Sequence, residues 1–137
     1  MPERTDLRTR SDSEKITINL GYVDLGRIDL LVRDGFYGNR TDFIRTAIRS
    51  QLERHAEAAD KSIRRQQLDL GLRHITSAEL EGARERGEML DIRVLGLATI
   101  DADVTPELAL ETIASVTVLG ALQAGAAVKT ALADRIR

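Results

Sequence analysis

Lys15-Ile16-Thr17-Ile18-Asn19-Leu20, closed by Gly21, decides how the first half of this chain folds. Polar and apolar residues alternate with period two, the pattern of a strand with one buried face. Ile16, Ile18 and Leu20 would point inward, and Lys15, Thr17 and Asn19 outward. From Val23 the period changes. Leu25, Ile28, Leu31 and Val32 stand at helical spacing, which predicts one amphipathic helix ending at Gly35. Gly35-Phe36-Tyr37-Gly38-Asn39 reads as a turn. Thr41 is the expected cap of a second helix, with Asp42 in its first turn and an apolar stripe of Ile44, Ala47, Ile48 and Leu52.

One strand and two helices cannot satisfy the strand's own backbone groups. No partner strand lies nearby in the sequence, and an isolated strand pair is stable only over an apolar layer. A second copy of the chain answers both needs. The two strands pair antiparallel, and four helices cover their inner face. Ile16, Ile18, Leu20, Leu25, Ile28, Leu31, Ile44, Ala47 and Ile48 are then the expected dimer core. The outer face carries Lys15, Thr17 and Asn19 twice over, on a ribbon of the kind that fits a DNA major groove. Asn suits adenine edges, Lys suits guanine, and Thr suits a hydrogen-bonding edge or a thymine methyl.

The run Ile16-Thr17-Ile18-Asn19-Leu20, then Leu25-Gly26-Arg27-Ile28-Asp29-Leu30-Leu31-Val32, then Gly35 through Arg49 resembles the ribbon-helix-helix family of CopG, Arc and MetJ. The order of elements agrees, as do the turn ending in Arg40-Thr41 and the stretch Ile44-Arg45-Thr46-Ala47-Ile48-Arg49. The resemblance implies a transcriptional regulator, acting as a homodimeric repressor on double-stranded DNA. It implies base contacts from Lys15, Thr17 and Asn19. It also implies phosphate contacts at the start of the second helix, around Arg40, Thr41 and Asp42, where a helix N-terminus favours an anion. The same DNA-binding unit occurs in antitoxins of toxin–antitoxin pairs, which is one alternative. A self-assembling scaffold that does not bind DNA is another.

Outward from this core, residues 1–13 are polar and carry charges of both signs, including Arg4, Arg8 and Arg10; they read as a flexible arm. Residues 14–55 are the ribbon-helix-helix unit, and 56–67, rich in charge, Ala and Gln, a helical linker. Residues 68–137 repeat themselves. Leu70-Gly71-Leu72, Leu95-Gly96-Leu97 and Leu119-Gly120-Ala121 fall 24 or 25 residues apart, each in a strand-like run followed by a helical one. Thr76 with Glu79 has capping-box spacing, and Thr105-Pro106 is a cap followed by proline at the first helical position. The third helical run holds Val128, Ala131 and Leu132. The expected class is therefore α+β: the dimerisation unit, then a small βα-repeat domain resembling a short solenoid. That domain is a candidate for further self-association beyond the dimer.

Composition narrows the function classes. The chain has no cysteine, which excludes disulfides, thiolate metal sites and a cysteine nucleophile. Its net charge of −2 argues against non-specific coating of nucleic acid and leaves room for a specific reader. His55 and His74 are the only histidines, too few for a transition-metal site. Asp101, Asp103 and Glu107 lack EF-hand spacing and fit the start of a helix. No catalytic constellation emerges, so neither an enzyme nor a cofactor is expected. No apolar segment is long enough to span a membrane, and no signal-peptide pattern opens the chain, so a cytoplasmic protein is expected.

Overall fold

The computed structural model describes residues 13–137. The arm expected over 1–13 lies, apart from Ser13, outside the described residues. The chain divides into two compact units that meet between Ala59 and Asp60.

In the first unit, residues 14–20 form neither helix nor hydrogen-bonded strand within the single chain. Helix α1 then spans Tyr22–Arg33. Asp24 in its first turn and Arg33 in its last complement the helix dipole. Its end is set by Gly35, which adopts φ +87. There the Phe36 N–H donates to the Leu31 carbonyl at 3.0 Å and the Gly35 N–H to that of Val32 at 3.1 Å. These two bonds satisfy carbonyls that a helix end otherwise leaves open.

Helix α2 spans Arg40–Arg54. Its cap is Asn39, not Thr41: the Asn39 side chain accepts from the Asp42 N–H at 2.8 Å. The Asp42 carboxylate accepts in return from the Gly38 N–H at 2.9 Å. Asn and Thr both cap well; Asn39, read from the sequence as the last turn residue, takes the role because the two bonds through Asp42 fit the earlier start. Tyr37 and Phe43 close the turn edge-to-face, with centroids 5.0 Å apart. The charged stretch that follows is a separate helix, α3, Ala56–Gln66, broken from α2 at His55.

The second unit is mixed helix and strand around a three-stranded parallel sheet in the order β1-β2-β3. Strand β1 is Asp69–Ile75, β2 Leu90–Ile100 and β3 Ile113–Gln123. Helix α4, Ser77–Glu85, joins the first two strands, and α5, Pro106–Thr112, joins the second two. Helix α6, Ala126–Ala131, follows β3. The Thr76 hydroxyl caps α4 through the Glu79 N–H, and the Thr105 hydroxyl caps α5 through the Leu108 N–H. The Glu79 carboxylate reaches Arg73 instead of closing a capping box.

The three helices lie side by side on one face of the sheet, α4 beside α5 and α5 beside α6. Between helices and sheet lies an aliphatic core that includes Ile75, Leu80, Ile92, Val94, Ala98, Ile100, Leu108, Ile113, Val116, Val128 and Leu132. Ile92, Val94, Ala98 and Ile100 of β2 share one parity, and β3 follows it from Val116 onward, past the irregularity opposite Leu90 and Asp91, so residues of the opposite parity line the other face there.

The three Leu-Gly matches coincide in the sheet. Gly71 pairs with Gly96, and Gly96 with Gly120. Gly96 has φ +139 and Gly120 φ +119, values that L side chains rarely adopt. In that conformation a Cβ lies in the sheet plane: one on Gly96 would stand 2.1 Å from the Gly71 carbonyl oxygen, and one on Gly120 equally close to that of Gly96. Close strand pairing at this level therefore requires glycine.

Candidate nucleic-acid interface

Lys15, Thr17 and Asn19 are all exposed in the stretch just before α1. The apolar residues between them are exposed as well: Ile16 is 71% and Ile18 59% accessible, and Leu20 is also open. A polar stretch on the surface needs no explanation, but exposed isoleucines next to a backbone with no strand partner among the described residues do. Of the other expected core residues, Ile28 is buried within one chain, and Leu25, Leu31 and Ile44 are half-buried. Ala47 and Ile48 are exposed. Tyr22, Val23, Leu30 and Leu52 add to this open apolar surface. Tyr22, Val23 and Leu30 carry no periodicity signal, because each lies beside the α1 stripe and not in it. One chain thus presents a strand-like segment and two helices with much of their apolar surface uncovered.

At the α2 N-terminus the structure brings Arg40, Thr41 and Asp42 together with a residue that the sequence reading missed. The Asp29 carboxylate on α1 accepts two bonds from Arg40, from Nε at 2.8 Å and from Nη2 at 2.9 Å. This bidentate geometry is the stronger form of the pair. The Arg40 guanidinium holds the Asp29 carboxyl below its ordinary value, first through those hydrogen bonds and then through its charge. Asp29 in turn raises Arg40 further. Both groups are solvent-exposed. The Arg40 and Thr41 N–H groups belong to the first helical turn, whose donors have no intrahelical acceptor, while the Asp42 N–H is taken by Asn39. An eleven-residue separation joins Asp29 to Arg40, and no local pattern in the sequence signals it.

The remaining sequence candidates have ordinary partners. Thr99 Oγ1 lies 2.5 Å from His74 Nδ1, and Asp101 lies 2.8 Å from Nε2. Asp103 accepts from the Ser77 hydroxyl at 3.0 Å, and Glu107 stands in the first turn of α5. Among the described residues no group of three or more His, Cys, Asp or Glu side chains is placed to hold a metal ion. Among the same residues no helix is long and apolar enough to cross a membrane.

Residues 11–129 match the model of a family described as the ribbon-helix-helix transcriptional regulator family. That span takes in the exposed segment, both helices of the first unit and most of the second unit. No curated protein and no solved structure matches the chain.

Proposed function

Because this chain belongs to the ribbon-helix-helix transcriptional regulator family, whose members bind DNA as dimers, we propose that it is a homodimeric, sequence-specific repressor. Residues 14–20 of two copies pair as an antiparallel ribbon. Ile16, Ile18 and Leu20 then turn onto the four helices, and Lys15, Thr17 and Asn19 face base edges in the major groove. The first-turn amides at Arg40 and Thr41 grip a phosphate on each side, with the Arg40 guanidinium as the nearby charge; the Asp42 amide joins them only by giving up its bond to Asn39. Ile16, Ile18, Leu20, Leu25, Ile28, Leu31, Ile44, Ala47 and Ile48 form the shared core. The domain limits follow this division: 14–55 reads DNA, 56–67 links, and 68–137 is a short solenoid-like βα repeat. No catalytic step belongs to this reading, and a reader of chromosomal or plasmid DNA works in the cytoplasm.

One observation carries the proposal: Ile16 and Ile18 are open to solvent beside a backbone with no strand partner among the described residues of its own chain. A twin strand satisfies both at once. The antitoxin alternative is less well supported, because antitoxin tails gain order on wrapping a toxin, whereas the second unit here has its own buried core. The test is selection of bound sequences from a random DNA pool, followed by anisotropy titration of Thr17→Ala and Asn19→Ala on the selected site. Each should weaken binding by about 1–3 kcal/mol and relax the base preference at one position. Unchanged affinity with unchanged preference refutes the base-contact assignment.

A further inference from the structure

We propose that the face of the β1–β3 sheet opposite α4, α5 and α6 is a self-association surface, and that its occupant is the same face of a second copy of this chain. The register fixes what this face shows. One row across the strands is Leu70, Leu95 and Leu119; the next is Leu72, Leu97 and Ala121. All six are apolar. On the edge strand Leu70 is 72% and Leu72 71% accessible, and Leu119 is also exposed. Parallel sheets occur with both faces covered, and a sheet face that meets water is normally polar. Here α4, α5 and α6 cover one face, and leucines line the other.

Polar rows frame the patch along the strands. Beyond Leu72 and Leu97 come His74, Thr99 and Gln123; before Leu95 and Leu119 come Arg93 with Thr117, then Asp91 with Ser115. Several of these groups are already engaged. The Ser115 hydroxyl donates to Asp91 at 2.5 Å, His74 holds Thr99, and Arg93 donates to the Gln66 carbonyl. An uncharged apolar centre with a satisfied polar rim is the anatomy of a protein interface. It offers nothing to a phosphate backbone or a charged peptide.

The choice of a second copy follows from symmetry, tethering and area. A two-fold pairing sets the face against itself, and its uncharged centre opposes no like charges. Membership of a dimerising family supplies the second face already attached, so that pairing of the two faces is intramolecular. Strands about 4.8 Å apart and same-face rows about 6.7 Å apart make the patch on the order of 200 Å² per copy. An independent interface needs about 800 Å² per partner, so this patch suits chains that are already joined. This inference needs the dimer but not the assignment of base contacts.

The absence of native cysteine gives a clean test in the full-length protein. Leu97 lies on the central strand, close to any two-fold axis through the patch. Packed sheets stand about 10 Å apart, too far for a direct disulfide, so a short bis-maleimide is the reagent. Leu97→Cys should give a covalent dimer, whereas Glu81→Cys, exposed on α4 on the other side of the sheet, should give little. Adding Leu95→Lys to Leu97→Cys should abolish the crosslink while circular dichroism stays unchanged. Equal crosslinking at positions 81 and 97, none at 97, or a crosslink that survives Leu95→Lys would overturn the proposal. Thr17→Ala should leave the crosslink intact, so failure of the DNA reading and failure of this one are seen separately.

Discussion

Replacing Gly96 by alanine should unfold the second unit far more readily than the same change elsewhere in the chain. Gly96 sits in the central strand β2, between Gly71 and Gly120. A Cβ there would lie 2.1 Å from the Gly71 carbonyl oxygen, and real Cβ contacts essentially never fall below 3.0 Å. The obstacle is backbone in a paired strand, so it cannot swing aside as a flexible side chain would. Either β1 moves away from β2 or Gly96 leaves φ +139. Losing about two ladder hydrogen bonds at about 1 kcal/mol each, with backbone strain of about 1–3 kcal/mol, gives roughly 3–5 kcal/mol. Gly71→Ala is the internal control: it has φ +110 but nothing within 4 Å, so only the strain of about 1–3 kcal/mol applies. Gly26→Ala, in α1 with open space around it, should stabilise its helix by about 0.5–1 kcal/mol. Urea unfolding of the full-length variants, followed by circular dichroism, should rank them Gly26→Ala above wild type, then Gly71→Ala, then Gly96→Ala. If Gly96→Ala is no less stable than Gly71→Ala, the close strand approach is not what fixes this glycine.

Other outcomes follow from the same structure. Asp29→Asn should release Arg40 and tighten operator binding, with a steeper salt dependence measured by anisotropy titration; an unchanged salt slope means that the pair does not compete with phosphate. Glu79 is held below its ordinary value of 4.5, mainly by its hydrogen bonds to Arg73. A lowered folded value means that the pair stabilises the second unit above about pH 4.5 and loses this contribution as pH falls below it. Glu79→Gln should remove that acid step in a pH series of thermal melts, at about 1 kcal/mol or less for a pair one-third exposed. Leu80→Ala, in the fully buried centre between helices and sheet, should destabilise the second unit by about 2–5 kcal/mol in urea; a smaller effect would mean that this core is loosely packed.

Much of the first unit was legible because its elements are local. Leu25, Ile28 and Leu31 marked α1, whereas the strand expected from the alternation at 15–20 is not formed within the single chain. Gly35 fixed the stop, since a left-handed residue with two backbone bonds to the last turn is its usual role. The cap shifted from Thr41 to Asn39 because capping depends on which side chain can accept from the third helical residue, and Asn39 and Thr41 both qualify by type alone. In the second unit the Leu-Gly spacing was visible. Its meaning was not, because a column of in-plane glycines exists only once three strands are aligned. The end of α3 had no sequence signal at all: Gln67 adopts φ +54 there, a position usually held by glycine. Asp29, the partner of Arg40, was also out of reach, since it depends on how α1 and α2 fold back on each other. The leucine face opposite α4, α5 and α6 needed the topology, because alternation alone does not say which side those helices cover.

The measurement closest to the central claim is amide hydrogen exchange over residues 15–20 in the full-length protein, at concentrations above and below dimer dissociation. A ribbon built from two chains predicts slow exchange at alternate amides in the dimer and loss of that protection on dilution. Uniformly fast exchange across Ile16–Leu20 in a protein that is demonstrably dimeric would contradict it, because the segment would then have no strand partner to present its polar face to DNA.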